Sequence, residues 1–387
     1  MKDTVIRRNG KSRKIKAPSD MPTTYEAFRA AMIKGKGFFD IETNTDTSSN
    51  GGVLTLGTPL SKLTLLTDRT RDALGLKQAD PTVDDALYAL YTKLPKSTVT
   101  IRTVPNRDIK IKNDLSGEEY TKRSDKYGGV SFMVTALGRW VCSAYSGSSV
   151  EWATPFELNS ISAITVNSYP SFASAKWDTL HEMSKSGVMP KVYRIGDKRT
   201  DVAPDGTRIT YRIIGFDHDK SIFNPSSVGT TTLETVESYV EAMGMNFNGT
   251  NVGGWESSQV RRELQRNVVS RYMSTELQSV LTTVFKYTSG GSSNQSIVRT
   301  EDNVFLLSES EIFGRNTHSL PGEGDIYQYY FEGGVKIKEY NGVNWSYWTR
   351  SATVGAESTG FVSVGSKGSA TTAIASNKYP LPFAICI

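Results

Sequence analysis

From Ser97 onward, apolar residues recur at every second position. Val99 and Ile101, then Ile109 and Ile111, then Val130, Phe132, Val134 and Ala136, then Trp140, Cys142 and Ala144 alternate with polar residues. The breaks fall at Pro105-Asn106, Gly117, Gly128-Gly129 and Gly138. Successive side chains of a strand point to opposite faces, so a period of two with closely spaced turn residues specifies half-buried strands and excludes a helix bundle over this stretch.

About 50–70 residues of such strands suit a small antiparallel sandwich. Residues 96–167 are accordingly expected to form an immunoglobulin-like β-sandwich acting as a spacer or docking module. With 387 residues the chain has room for further domains. Ahead of the sandwich the period is helical. Leu63, Leu66, Thr70 and Leu74 share one face, and Val83, Ala86, Leu87, Leu90 and Leu94 share another behind Asp80-Pro81-Thr82. Thr23 with Glu26 forms a capping-box pattern for one earlier short helix. Residues 1–50 thus read as a basic arm with a short helix, and 51–95 as a helical segment.

Charge is concentrated at one end. Residues 1–16 carry seven bases (Lys2, Arg7, Arg8, Lys11, Arg13, Lys14, Lys16) against one acid, which exceeds the formal surplus of +5 for the whole chain. The rest is close to neutral, so no domain-wide surface for nucleic acid is indicated. The expectation for Arg7, Arg8, Lys11, Arg13, Lys14 and Lys16 is attachment to an acidic neighbour in an assembly. No apolar run approaches the roughly 18–20 residues of a membrane span, and no apolar core follows the first charges as in a secretory signal. Assembly in a cytoplasm without membrane insertion is expected. The two cysteines, Cys142 and Cys386, stand in alternating apolar runs and read as buried structural thiols in preference to a disulfide or a reactive pair.

Beyond Tyr169 helical and strand signals mix. A helix over 173–186 stops at Gly187, and strands at 192–202 and 207–216 flank Asp205-Gly206, a strong hairpin signal. Helices follow at Ser258 and Ser274, a capped turn at Ser308 with Glu311, and strands near 304–307, 345–350, 361–364 and 382–387. The order gives an α+β unit over 168–387.

The succession of motifs in this region carries a resemblance. Ile195-Gly196-Asp197, Asp205-Gly206, Ile213–Asp219, Gly253-Gly254-Trp255-Glu256-Ser257-Ser258 with Arg261 and Leu264, Phe305–Glu309, Tyr347–Ser351 and the closing Pro382–Ile387 resemble a C-type-lectin-like domain of otherwise unassigned function that recurs in bacteriophage and prophage tail proteins. Leu381 and Thr349-Arg350-Ser351-Ala352 depart from the family's usual pattern. Gly57–Asp68, Ala73–Leu76 and Asp84–Leu90 are similar to a segment common in phage tail and baseplate proteins. The resemblance implies a virion protein of the tail or baseplate. It would be anchored to other virion proteins by its N-terminal region, bind a host cell-surface glycan or protein through its C-terminal domain, and form a homo-oligomer, with a trimer as first expectation. A purely architectural baseplate role is the alternative.

No enzyme and no cofactor are expected. Formylglycine-generating oxidases share the lectin-like architecture, but they use two neighbouring cysteines, whereas Cys142 and Cys386 fall in different predicted domains. Glu256, Glu309 and Glu311 would be the carboxylates of a glycan hydrolase, yet acids beside helix starts are expected for dipole reasons alone. Asp217-His218-Asp219 reads as a hydrogen-bonded turn in preference to a cation site. The receptor surface implied by the resemblance comprises Trp345, Tyr347, Ser351, Thr353, Glu357, Thr359, Asn377, Lys378 and Tyr379. Alternation would put Trp345 and Tyr347 on one face and Trp348 in the core.

Overall fold

The structure, a computed structural model, describes residues 83–223, 229–292, 294–355 and 359–387, with short stretches at 4–8, 11–15, 72–73 and 75–76. The capping-box helix at Thr23, most of the helix expected over 58–74, Lys16 and Glu357 lie outside the described residues. The chain is multidomain and mostly β, with short helices. It divides into two compact units, Met1–Ser168 and Tyr169–Ile387.

In the first unit, Thr4–Arg8 and Lys11–Ile15 pair as antiparallel strands, with Arg8 opposite Lys11. Five of the six basic residues placed in the arm therefore belong to strands, elements not expected there from the sequence. The helix Val83–Thr92 buries Ala86, Leu87 and Ala89 and leaves Leu90 exposed, so its covered face is rotated from the one the sequence suggests.

Seven strands follow, in two sheets. Ser97–Arg102 lies between Gly129–Val134 and Ala163–Asn167, while Asp108–Asn113 and Gly138–Ser146 lie between Glu119–Arg123 and Ser149–Leu158. The expected alternation is present: Val99, Ile101, Ile109, Ile111, Trp140, Cys142 and Ala144 are all buried. One pairing differs from the fully antiparallel expectation, because Ser97–Arg102 and Ala163–Asn167 run parallel. A parallel pair needs a long crossover, and the chain supplies it by building the second sheet in between. Buried Glu118 ties this unit's turns, accepting from the Ala136 amide at 2.7 Å and the Tyr120 hydroxyl at 2.7 Å.

The second unit is built on a five-stranded antiparallel sheet in the order Lys198–Val202, Arg208–Phe216, Thr231–Thr235, Ala384–Cys386, Val304–Phe305. Asp205-Gly206 closes the first hairpin, with Gly206 at φ 87° and Thr200 opposite Thr210. The chain's final strand sits inside this sheet. A second sheet joins Tyr347–Ala352, Gly360–Val364 and Ala370–Ile374. Trp177, in the helix Trp177–Lys185, donates its indole N–H to Asp201 at 2.9 Å and meets the Tyr211 ring edge-on. Ser308 and Glu311 form the expected capping box. Both cysteines are free and buried, and burial pushes both thiols up.

Candidate functional site

Two places in the second unit gather chemistry. The first is a cleft of about 630 Å³ whose rim includes His218, Lys220, Asn316 and Asp325 and whose floor is a chain of alternating charges, Asp219, Lys286, Glu311 and Arg350. The strand Val284–Ser289 presents Lys286, the capped helix Glu309–Phe313 presents Glu311, and Tyr347–Ala352 presents Arg350. Lys286 donates to Asp219 at 2.6 Å and Tyr327 at 3.1 Å, and pairs with Glu311 at 2.8 Å. Arg350 grips both Glu311 oxygens and donates to the Leu306 and Glu323 carbonyls. Burial would raise Glu311, but the Arg350 and Lys286 charges outweigh it and hold the carboxyl below its ordinary range.

Most of this floor's hydrogen-bonding capacity is used inside the protein, although the buried Arg350 Nε has no partner among the described residues. Asp219 accepts from Lys286, Tyr327 and Thr232. Asp217 stands past the end of its strand at φ 54°, so 217 and 219 do not share a strand face. Among the described residues no group of three His, Cys, Asp or Glu is placed to hold a metal. Of the carboxylates considered for hydrolysis, Glu309 accepts from the amides of Thr317, His318 and Ser319, Glu311 is ion-paired, and Glu256 is exposed at a helix start.

Glu323, buried beside this network, accepts from the Ser289 amide at 2.9 Å and the Ser351 hydroxyl. Burial, only partly offset by these bonds, raises its carboxyl to about 7. An unfolded glutamate loses its proton near pH 4.5, so between pH 4.5 and 7 the folded state holds the extra proton. Stability then falls as pH rises through that window, by about 2–3 kcal/mol across it. His181, half-buried and held below its ordinary value by desolvation, acts in the opposite sense, so a difference between variants isolates Glu323. Glu323→Gln is expected to melt several degrees above the parent at pH 7.5, with the gap closing by pH 4.5. Thermal unfolding across pH checks this, and a constant gap would exclude the linkage.

The second place is a surface built around the loop 246–252. Asn246 receives the Gln259 amide at 3.1 Å, donates to the Thr250 carbonyl at 2.7 Å, and its own amide bonds Ala375 at 3.1 Å. Asn251 is buried at the centre. Its side chain donates to the carbonyls of Thr353 and Gly360 and accepts from the Ser292 amide. Gly254 and Gly291, both at positive φ, let backbones close on one another, since a Cβ on either would come within about 2 Å of a carbonyl oxygen. The loop is thereby tied to Thr353 and Gly360, to Ala375 and to Ser292. From it Phe247 projects, 71% exposed, with Val252, Val354 and Ile374 also exposed.

The expected receptor residues divide between this surface and the interior. Thr359 and Asn377 are exposed beside the loop and Lys378 follows at its margin, with Ala375 bonded to the Thr359 carbonyl. Thr353 is buried beneath, holding Gly360. Trp345 is 44% exposed on a separate hairpin, Lys338–Tyr340 with Val343–Trp345, against Tyr340. Tyr347 and Ser351 correct the expectation. Every residue of Tyr347–Ala352 is buried because both faces of that strand are covered. Tyr347, 2% exposed, donates its hydroxyl to the Lys336 carbonyl at 2.6 Å, and Ser351 bridges the Glu309 amide and Glu323. Tyr379 is half-buried with its ring 4.7 Å from that of Trp348.

Sequence reasoning missed Phe247 and Asn251. The available signal was a lone aromatic in a charge-free, Asn- and Gly-rich run, Asn246-Phe247-Asn248-Gly249-Thr250-Asn251.

Fold and surface together define a two-unit, mostly β chain with a densely hydrogen-bonded loop cluster on its C-terminal unit. Residues 230–387 are similar to a domain of unknown function (DUF6273), a span holding the Gly253, Phe305, Tyr347 and C-terminal motifs. No curated protein matches. Among solved structures, one titled "The Bacillus anthracis TIE protein" is similar at 6% identity and a TM-score of 0.17, over 36% of this chain and 28% of that one. This chain thus spans well under half of that protein's length.

Proposed function

We propose that this protein is a non-enzymatic tail or baseplate component of a phage or related injection machine that binds the host cell surface through its C-terminal unit. On this reading the C-terminal unit is lectin-like, the seven-stranded sandwich is an immunoglobulin-like spacer, and the N-terminal region attaches to other virion proteins, in a homo-oligomer. The sequence resemblance supports the setting. The observation that carries the binding role is the exposed Phe247 on a loop held by Asn246 and Asn251, since a preorganised aromatic contributes contact area at small entropic cost.

Phe247→Ala removes a side chain that is mostly in water, so stability should change by no more than about 0.5 kcal/mol. Adsorption of particles to host cells is expected to fall at least tenfold while assembly stays normal. In the same assay, deletion of residues 1–16, which removes the paired strands Thr4–Arg8 and Lys11–Ile15, should lower incorporation and leave the seven-stranded sandwich and the C-terminal unit folded. Unchanged adsorption by the Phe247 variant, or defective assembly in its place, would turn the reading toward an architectural baseplate role.

A further inference from the structure

The surface around Phe247 is unusual in what it lacks. Charged residues make up 22% of the chain, yet residues 244–255, 288–298 and 369–377 contain no Asp, Glu, Lys or Arg. These segments are distant in sequence and are drawn together by the Asn246–Ala375 and Asn251–Ser292 bonds. Thr359 joins them, its carbonyl accepting from the Ala375 amide. Charges are found at the margin, in Glu256 and Lys378, and Glu357 lies outside the described residues.

From this we infer that the ligand of the Phe247 face is a neutral, hydroxyl-rich glycan segment. The inference rests on the reading that this face contacts the host. Polyanions such as teichoic acids or sulfated chains are gripped by Lys and Arg, whose charge-assisted bonds match phosphate and carboxylate. The face has no such residues at its centre. It presents amides and hydroxyls, from Asn248, Thr359, Ser376 and Asn377, each able to donate and accept. A sugar ring offers the same mixture of hydroxyls around an apolar C–H surface, which Phe247 is placed to cover. A protein partner is less well served, because its hot spots favour a continuous apolar centre with Trp, Tyr and Arg, whereas Phe247, Val252, Val354 and Ile374 are interspersed with Asn, Ser and Thr and include no Trp, Tyr or Arg.

Binding should be insensitive to salt, because screening weakens interactions between charges only. The test presents the full-length protein with immobilised uncharged oligosaccharides (hexose, N-acetylhexosamine and deoxyhexose oligomers) beside heparin and glycerol-phosphate teichoic acid, at 50 and 500 mM NaCl. Expected is binding to one or more uncharged oligomers, changing less than twofold between the salts and falling at least tenfold in Phe247→Ala. Binding confined to the anionic probes, a tenfold loss at high salt, equal binding by the variant, or no glycan bound at all would overturn the inference. Adsorption of the Phe247 variant to cells is read separately. Lost adsorption with no uncharged glycan bound leaves the adhesin reading standing and removes this one.

Discussion

Replacing Arg350 by Ala is expected to destabilise the C-terminal unit by about 3–5 kcal/mol, the cost of leaving a buried partner charge uncompensated. Arg350 is fully buried and joins three segments at once, through the carboxylate of Glu311 and the carbonyls of Leu306 and Glu323. Its loss leaves Glu311 with Lys286 alone, and Lys286 is shared with Asp219. Arg350→Lys keeps the charge but cannot reproduce the two-pronged grip or reach several carbonyls, so it should fall between parent and Ala. Chemical denaturation with probes in each unit measures this. A parent-like midpoint for the Ala variant would mean that the network contributes little net stability, as some buried ion pairs do.

Removing the last four residues is expected to have a still larger effect. Ala384–Cys386 lies between Thr231–Thr235 and Val304–Phe305, and Ile385, Cys386 and Ile387 are fully buried. The Ile387 carbonyl accepts from the Thr231 amide and the Ser184 hydroxyl. Truncation opens two strand edges inside the sheet and empties two isoleucine sites, each worth about 2–5 kcal/mol on the scale of large-to-small core changes. A domain's whole margin is about 5–15 kcal/mol, so the C-terminal unit should lose cooperative melting and become protease-sensitive. The milder Ile385→Val should cost about 1 kcal/mol. A sharp melting transition after truncation would show that the strand is dispensable.

Much of the fold was legible in the sequence because its signals are local. The alternation from Ser97 places Val99, Ile101, Trp140 and Cys142 inside, and Asp205-Gly206 and the Ser308–Glu311 box terminate elements where expected. The paired strands at 4–8 and 11–15 were also available, since they flank Asn9-Gly10, a hairpin dipeptide. Their charge drew the reading toward a basic arm.

The candidate site was legible only in part. Of the residues the resemblance named, Thr359, Asn377 and Lys378 are exposed, whereas Tyr347 and Ser351 are interior. Alternation tells which residues share a face of a strand and not whether a second layer covers the other face, so a strand buried on both sides looks half-exposed when read alone.

The sequence by itself determines the two periods of this chain, the positions of its turns and the placing of its charge, because each depends on residues a few positions apart. The tertiary structure alone decides that Ser97–Arg102 takes a parallel partner, that Arg350 meets Glu311, and that Asn246 and Asn251 draw three uncharged segments together around Phe247. Those outcomes depend on hydrogen-bonded pairs from 39 positions apart, as in Arg350–Glu311, to 129 apart, as in Asn246–Ala375, and no local pattern encodes which distant backbone will arrive.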